Sequence, residues 1–170
     1  MAGRLIAPAK GSAPAESPTS SARRDARALL RWFADNARDL PWRRRRTPWS
    51  TWVSEVMLQQ TTADVVASRF DAFMKLFPTP AALAAAGEDA VVAAWSGLGY
   101  YRRARFLHRG AKAAVDKGGI PKTFDALREL PGLGAYAAGA VASLAFGERV
   151  AAVDGNTARV MARYGASDAN

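Results

Sequence analysis

Residues 130–136 read Leu-Pro-Gly-Leu-Gly-Ala-Tyr, and they lie between two stretches whose apolar residues recur at helical spacing. Pro131 lacks an amide donor and biases Leu130 away from helical backbone, so a preceding helix ends here. Gly132 and Gly134 permit a tight hairpin and close backbone approach. The Ala-rich stretch 135–146 then reads as a helix whose first turn begins on the loop. Free N–H groups and the positive end of the helix dipole at that point form a site for phosphate, whatever the nucleotide sequence. An ordinary helix–helix turn uses the same glycines. The order L-P-G-x-G before an Ala-rich helix favours the phosphate-binding hairpin.

Outward from the hairpin, the chain keeps helical periodicity. Ala26, Leu29, Leu30 and Phe33 predict a helix over 22–36, and Leu40-Pro41 marks a stop. From Thr51 to Phe77, the residues Trp52, Val53, Val56, Met57, Val66, Phe70, Phe73, Met74 and Phe77 fall along one broad face. A break is expected near Gln60-Thr61-Thr62, where a Thr can cap a second helix. Short helices are predicted at 80–86, 88–95, 101–117 and 123–129, separated by Gly97, Gly99 and Gly118-Gly119, and another at 155–164. No alternating strand pattern appears, so the fold class is all-α. Residues 1–21, rich in Ala, Pro and Ser, read as a disordered leader.

The 24 Lys and Arg against 15 Asp and Glu give a net charge of +9 and a pI near 10.6. The leader holds only Arg4, Lys10 and Glu16, so the excess sits in the part that folds. A basic folded domain suits a polyanionic partner, because each neutralised phosphate releases counterions. A plain solubility surplus of Arg is the alternative. Arg43 to Arg46 form a basic run that reads equally as a solvated face or as a phosphate contact. His108, the only His, is expected on the surface or facing nucleic acid; without other ligands it makes no metal site. The chain has no Cys, which excludes disulfides and thiolate-held metal within it. No apolar run approaches ~18 residues, so no membrane span is expected. The opening residues lack the apolar block of a secretory signal, which predicts an intracellular setting.

Two carboxylates stand out. Glu55 lies amid apolar residues in Trp52-Val53-Ser54-Glu55-Val56-Met57-Leu58-Gln59-Gln60-Thr61, one helical turn before Gln59 and on the same expected face. If half-buried, its pKa is raised, which a general acid needs near neutral pH. From periodicity alone it reads better as an exposed Glu, since most helical Glu residues are. Asp154, in Val153-Asp154-Gly155-Asn156, is placed to cap the helix that follows. The same N–H donors would keep its carboxylate ionised, as a cationic sugar intermediate requires. Capping and catalysis are compatible there.

The blocks Leu40-Pro41-Trp42-Arg43, Ser54 to Thr61, Gly97-Leu98-Gly99-Tyr100-Tyr101, Leu130 to Gly134 and Val153 to Asn156 occur in order. Together, from about Arg27 to Tyr164, they resemble the adenine DNA glycosylase (MutY) family of helix-hairpin-helix DNA glycosylases. The resemblance implies a six-helix barrel domain plus part of an iron–sulfur cluster domain. It implies base-excision repair, with adenine hydrolysed from mispairs with 8-oxoguanine or guanine in double-stranded DNA. By that resemblance Glu55 protonates the leaving adenine and then helps direct water. Asp154 stabilises the oxocarbenium-like sugar, a transient covalent bond being one route, and Tyr136 and Asn156 support that centre. Gln60 and Tyr100 wedge into the duplex, and Arg43 and Leu58 line the adenine pocket. Gln59 and Thr61 belong to the same DNA-facing block, and the loop with Gly132, Leu133 and Gly134 grips phosphate. Such a layout suits an enzyme that flips its base out of the stack, and two carboxylates around one glycosidic bond is general logic for sugar hydrolysis.

Endonuclease III shares this pattern and the Asp, but carries a Lys nucleophile where this chain has Tyr136, and no Glu at the place of Glu55. Without the amine no Schiff base forms, so monofunctional chemistry is expected. The family also has a [4Fe–4S] cluster held by Cys residues beyond the Asp helix, and a further domain that reads 8-oxoguanine. The chain ends at Asn170 before either, so it is expected to be the N-terminal catalytic part only. The resemblance organises it as a leader over 1–21, then a helix and basic loop over 22–50 packing with the cluster side. The barrel with its hairpin follows over 51–149, and the Asp loop and start of the cluster domain over 150–170. The expected setting is cytoplasmic and nucleoid-associated, as a monomer. Two other readings stand beside it: a non-catalytic helix-hairpin-helix DNA-binding fragment, and an endonuclease III-type pyrimidine glycosylase, which Tyr136 argues against.

Overall fold

The computed structural model describes residues 20–167, and all regular structure among them is helical. The leader expected over 1–21 lies outside the described residues up to residue 19. Ser20 already opens α1 (Ser20–Asn36), two residues ahead of the expected start. The chain divides into two units, one ending at Arg38 and one beginning at Asp39. In the first, α1 is amphipathic, with Leu29, Leu30 and Trp32 exposed, and the Asn36 side-chain amide donates to the Trp32 carbonyl at 2.9 Å.

The second unit runs through α2 (Pro41–Arg44), α3 (Pro48–Leu58), α4 (Ala63–Leu76), α5 (Pro80–Ala85) and α6 (Glu88–Ala94). It continues through α7 (Arg102–Asp116), α8 (Phe124–Arg128), α9 (Ala135–Phe146) and α10 (Gly155–Ser167). Pro41, Pro48 and Pro80 each take the first helical position, where the fixed φ suits a helix and the missing N–H costs nothing. The α3 helix starts earlier than the Thr51 expected. The Thr47 side chain accepts from the Ser50 N–H at 3.0 Å while the Ser50 hydroxyl accepts from the Thr47 N–H at 2.8 Å, a reciprocal cap. The break between α3 and α4 falls where the sequence placed it. Thr62 holds the N-cap position of α4 but makes no side-chain bond to it, so the side-chain cap expected of a Thr for the second helix is not formed.

Helix α3 is the spine: Trp52, Val53, Val56 and Met57 are buried, and it packs against α9, α4 and α7. One side of this core is aromatic. Trp42–Phe70, Trp49–Trp52, Phe73–Phe77 and Phe73–Trp95 meet edge to face with centroids 5.0–5.6 Å apart, the favoured quadrupolar arrangement. The other side is built of small residues. Ala137, Ala138, Ala140 and Ala142 bury α9 with almost no side-chain bulk, which lets its backbone come close to its neighbours. Truncating Trp52 or Trp95 would cost about 3–5 kcal/mol. The α7 helix presents Ala104, Leu107 and Ala111 inward and Arg102, Arg105, Arg109 and Lys112 outward. His108 shares the inner phase and is only 2% exposed, so the surface position expected for it is wrong. Among the described residues, no helix is long and apolar enough to cross a membrane.

Candidate active site and nucleic-acid interface

Glu55 projects from α3 and is half-buried. Burial pushes its carboxyl above the ordinary carboxylate range; a hydrogen bond from the Tyr136 hydroxyl draws it partly back, and the negative charge of Asp154 pushes it up again. Tyr136 sits in the first turn of α9, the helix laid along α3. Its phenol is pushed up to about 12 by burial, then by the charge and hydrogen bond of Glu55 and the charge of Asp154. It therefore stays protonated and acts as a donor. Glu55, Tyr136 and Asp154, far apart in sequence, are thus brought into one electrostatic cluster.

Asp154 goes the other way. Its Oδ1 accepts from the Thr157 N–H and from the Thr157 hydroxyl, both at 2.7 Å, and its Oδ2 accepts from Asn156 Nδ2 at 3.1 Å. These donors hold its carboxyl below the ordinary range. The Asp154 carbonyl takes the Ala158 N–H at 2.9 Å, so the residue is the N-cap of α10 as the sequence indicated. Asn156 in turn accepts from the Arg159 guanidinium. Gly139 explains how the Asp154 segment reaches Tyr136. A Cβ there would lie 2.9 Å from the Ala151 carbonyl, so only glycine lets the chain leading into Asp154 lie flat on α9. Two carboxyls have been driven apart in acidity around a neutral phenol, which is the pattern of an acid and a fixed anion in one site.

A cleft of about 480 Å³ is lined by Gln59, Gln60, Tyr100, Tyr101, Arg102, Arg103 and Phe106. Gln59 is the residue after the last turn of α3, with extended backbone, so it does not share a helical face with Glu55 as the spacing suggested. Gln60 (φ 55) and Tyr100 (φ 45) both hold the left-handed conformation, which is uphill for a residue with a Cβ. Thr61 donates its hydroxyl to the Leu98 carbonyl at 3.2 Å, joining the loops that carry them. Arg103, which sequence reasoning passed over as one more cation on a basic helix, lies between those loops and is buried. Leu58 is partly buried against the core and Arg43 is exposed at the end of α2; neither lines this cleft. Within the basic run, Arg44 is committed to Asp39 through two bonds of 2.9 and 2.7 Å.

The hairpin is fixed by Leu130 and Leu133, both buried, and by the Leu133 N–H donating to the Leu130 carbonyl at 3.2 Å. Gly132 has φ 84, and a Cβ on it would stand 2.7 Å from the Phe106 Cβ. The loop therefore rests directly on α7. Arg102 and Arg109 lie over the Phe106 ring at 5.2 and 4.6 Å. Gly134 is the N-cap of α9 and no side chain caps that end.

The sequence profile of the HhH-GPD superfamily base excision DNA repair protein matches residues 53–170. The chain belongs to the HhH-GPD superfamily. It is 45% identical over 154 residues to the adenine DNA glycosylase of Homo sapiens, covering 84% of this chain and 28% of that one. It is 44% identical over 146 residues to the adenine DNA glycosylase of Mycolicibacterium smegmatis, covering 83% of this chain and 50% of that one. The chain thus spans about a quarter to a half of these relatives. Among solved structures, a thermostable thymine-DNA glycosylase superposes with a TM-score of 0.76 at 29% identity, over 82% of this chain and 65% of that one. A trapped endonuclease III–DNA covalent intermediate superposes at 0.69 and 27% identity, over 81% and 65%. The all-α helix-hairpin-helix glycosylase fold expected from the sequence is the fold observed.

The family's [4Fe–4S] cluster requires thiolate ligands. This chain has no Cys, and among the described residues no three His, Asp or Glu gather where they could hold a metal ion. The residues present do not fit that group, and no step of the chemistry below passes through it.

Proposed function

We propose that this HhH-GPD chain carries the catalytic site of a monofunctional adenine DNA glycosylase, hydrolysing the N-glycosidic bond of adenine opposite 8-oxoguanine or guanine. The observation that carries the reading is the pair Glu55 and Asp154, with acidities driven apart around Tyr136. The names of the relatives at 44–45% identity support the choice of base. The hairpin Gly132-Leu133-Gly134 grips phosphate, Gln60 and Tyr100 enter the duplex, and the adenine leaves the stack. Glu55, whose burial favours the protonated form, gives its proton to the departing adenine as the glycosidic bond breaks. The cationic sugar develops against the Asp154 carboxylate, which Thr157 and Asn156 hold ionised. Water then adds to the sugar carbon, giving its proton to the Glu55 carboxylate and restoring the acid. Tyr136 offers a hydroxyl and no amine, so the product sugar is released without strand cleavage through a Schiff base.

The same reading makes the protein a monomer that works on double-stranded DNA at the nucleoid, with residues 150–170 beginning the cluster-side domain. A second reading, DNA binding without catalysis, draws on α10, whose side chains described from Gly155 to Gly165 are all exposed. One experiment separates them. Single-turnover incubation with an A:8-oxoguanine duplex should release adenine, and Glu55→Gln should slow release by about 100-fold or more while duplex affinity is kept. Binding without adenine release by the wild type selects the second reading.

A further inference from the structure

We infer that Arg103 is a positioning residue for opening the duplex: its guanidinium clamps the loop bearing Gln60 to the loop bearing Tyr100 and sets the spacing of those two side chains. The inference rests on the glycosylase reading above for the role of the two wedges.

Arg103 lies in the first turn of α7 and is 9% exposed. Its Nη1 donates to the carbonyls of Val56 at 3.0 Å, Met57 at 2.8 Å and Gln59. Its Nη2 donates to the Thr61 hydroxyl at 2.9 Å and to the carbonyls of Leu98 at 2.8 Å and Gly99 at 3.2 Å. No carboxylate takes part in any of these bonds. The buried cation instead meets the negative end of the α3 dipole on one prong and the residues before Tyr100 on the other. The Trp95 and Tyr100 rings lie 5.6 and 5.5 Å from its central carbon. Trp95 Nε1 also donates to the Gly99 carbonyl at 3.1 Å. The bonds therefore fall on both sides of Gln60 and just ahead of Tyr100, the two left-handed residues that would otherwise relax. Only a planar fork addresses both loops; an ammonium is a single point and reaches one.

The full chain tests this with Arg103→Lys and Thr61→Val, each checked for folding by circular dichroism and thermal melting. In a Glu55→Gln background, 2-aminopurine placed beside the target adenine should brighten on binding wild-type loops and stay dim with Arg103→Lys. With Glu55 intact, Arg103→Lys should slow adenine release from an A:8-oxoguanine duplex by about 10- to 100-fold. Release should recover to within about threefold of wild type when the adenine faces an abasic site, where little unpairing is needed. Thr61→Val, which removes one prong's side-chain acceptor, should show the same selective loss to a smaller degree, and it decides the matter if Arg103→Lys does not fold. Equal loss on both duplexes would mark a purely structural residue and overturn the inference, as would undiminished brightening in both variants or none with the wild-type loops. Brightening without any adenine release by the wild type sinks the glycosylase reading instead, and leaves the clamp judged by fluorescence.

Discussion

Glu55 and Asp154 bear the same functional group, and their surroundings send them in opposite directions. Desolvation dominates at Glu55, and hydrogen-bond donors from the α10 end dominate at Asp154. Base release should therefore fall on the acid side as Asp154 protonates and on the alkaline side as Glu55 ionises. Tyr136→Phe tests the sign of one contribution. The phenol donor favours the ionised form of Glu55, so removing it should raise the Glu55 pKa further and move the alkaline limb to higher pH. Folding stability follows the same linkage: the Glu55 contribution is full below its unfolded value and lost as pH rises through the raised folded one. Asp154 contributes above its unfolded value, and that contribution is lost as pH falls through its lowered folded one. A limb displaced to lower pH in single-turnover rates would contradict the arrangement. Borohydride should trap no efficient adduct with the wild type, since Tyr136 offers no amine; trapping traced to Lys112 or Lys122 would overturn monofunctional chemistry. At this scale the sequence was legible where the chemistry is local. The Asp154 cap is written in Asp154-Gly155-Asn156-Thr157, whereas the burial of Glu55 depends on α9, and no local pattern reports it. Arg103 and His108 were hidden among the Arg and Lys residues of the exposed face of α7, and a buried guanidinium runs against the usual rule for charges.

Among the elements, the hairpin 130–134 and α9 were legible in full, because Pro and Gly punctuate the chain through fixed backbone chemistry. The start of α3 was not. Its signal, Thr47-Pro48-Trp49-Ser50, is a cap, a first-turn proline and a reciprocal side chain, and it was overlooked beside the stronger apolar face from Thr51. Gln59 failed for a related reason, since helical spacing holds only while the helix lasts. The hairpin also supplies a contrast between two glycines. Gly132→Ala meets both the left-handed φ and the Phe106 side chain, and should cost about 1–3 kcal/mol in denaturant unfolding and weaken DNA binding. Gly134 has φ −71 and open space around its Cβ position, so Gly134→Ala should cost under about 1 kcal/mol. Equal costs at the two positions would show that the loop does not rest on α7 as described.

For the molecule as a whole, the net charge of +9 is arranged as well as large. Arg102, Arg105, Arg109 and Lys112 line one face of α7, and part of that charge is neutralised where Arg105 meets Glu88 at 2.8 Å. If the hairpin and this face together neutralise about four phosphates, the logarithm of duplex affinity should fall with the logarithm of salt at a slope near −4. Affinity that barely changes with salt would disconnect the charge from DNA. The all-α class was readable from periodicity, but a division at Arg38 was not, because α1 carries the same amphipathic signal as the helices after Asp39. One feature of α7 reaches furthest. It carries Arg103, bonded to the loops of Gln60 and Tyr100, and Phe106, against which Gly132 of the hairpin sits, within a single turn. The rise between them is fixed at about 4.5 Å by helix geometry, so on the proposed glycosylase reading the helix would serve as a ruler between the base step to be prised open and the phosphate to be held. One residue inserted between those two marks would lengthen the ruler by about 1.5 Å and swing one mark by about 100° from the other, leaving both parts intact and the measurement wrong.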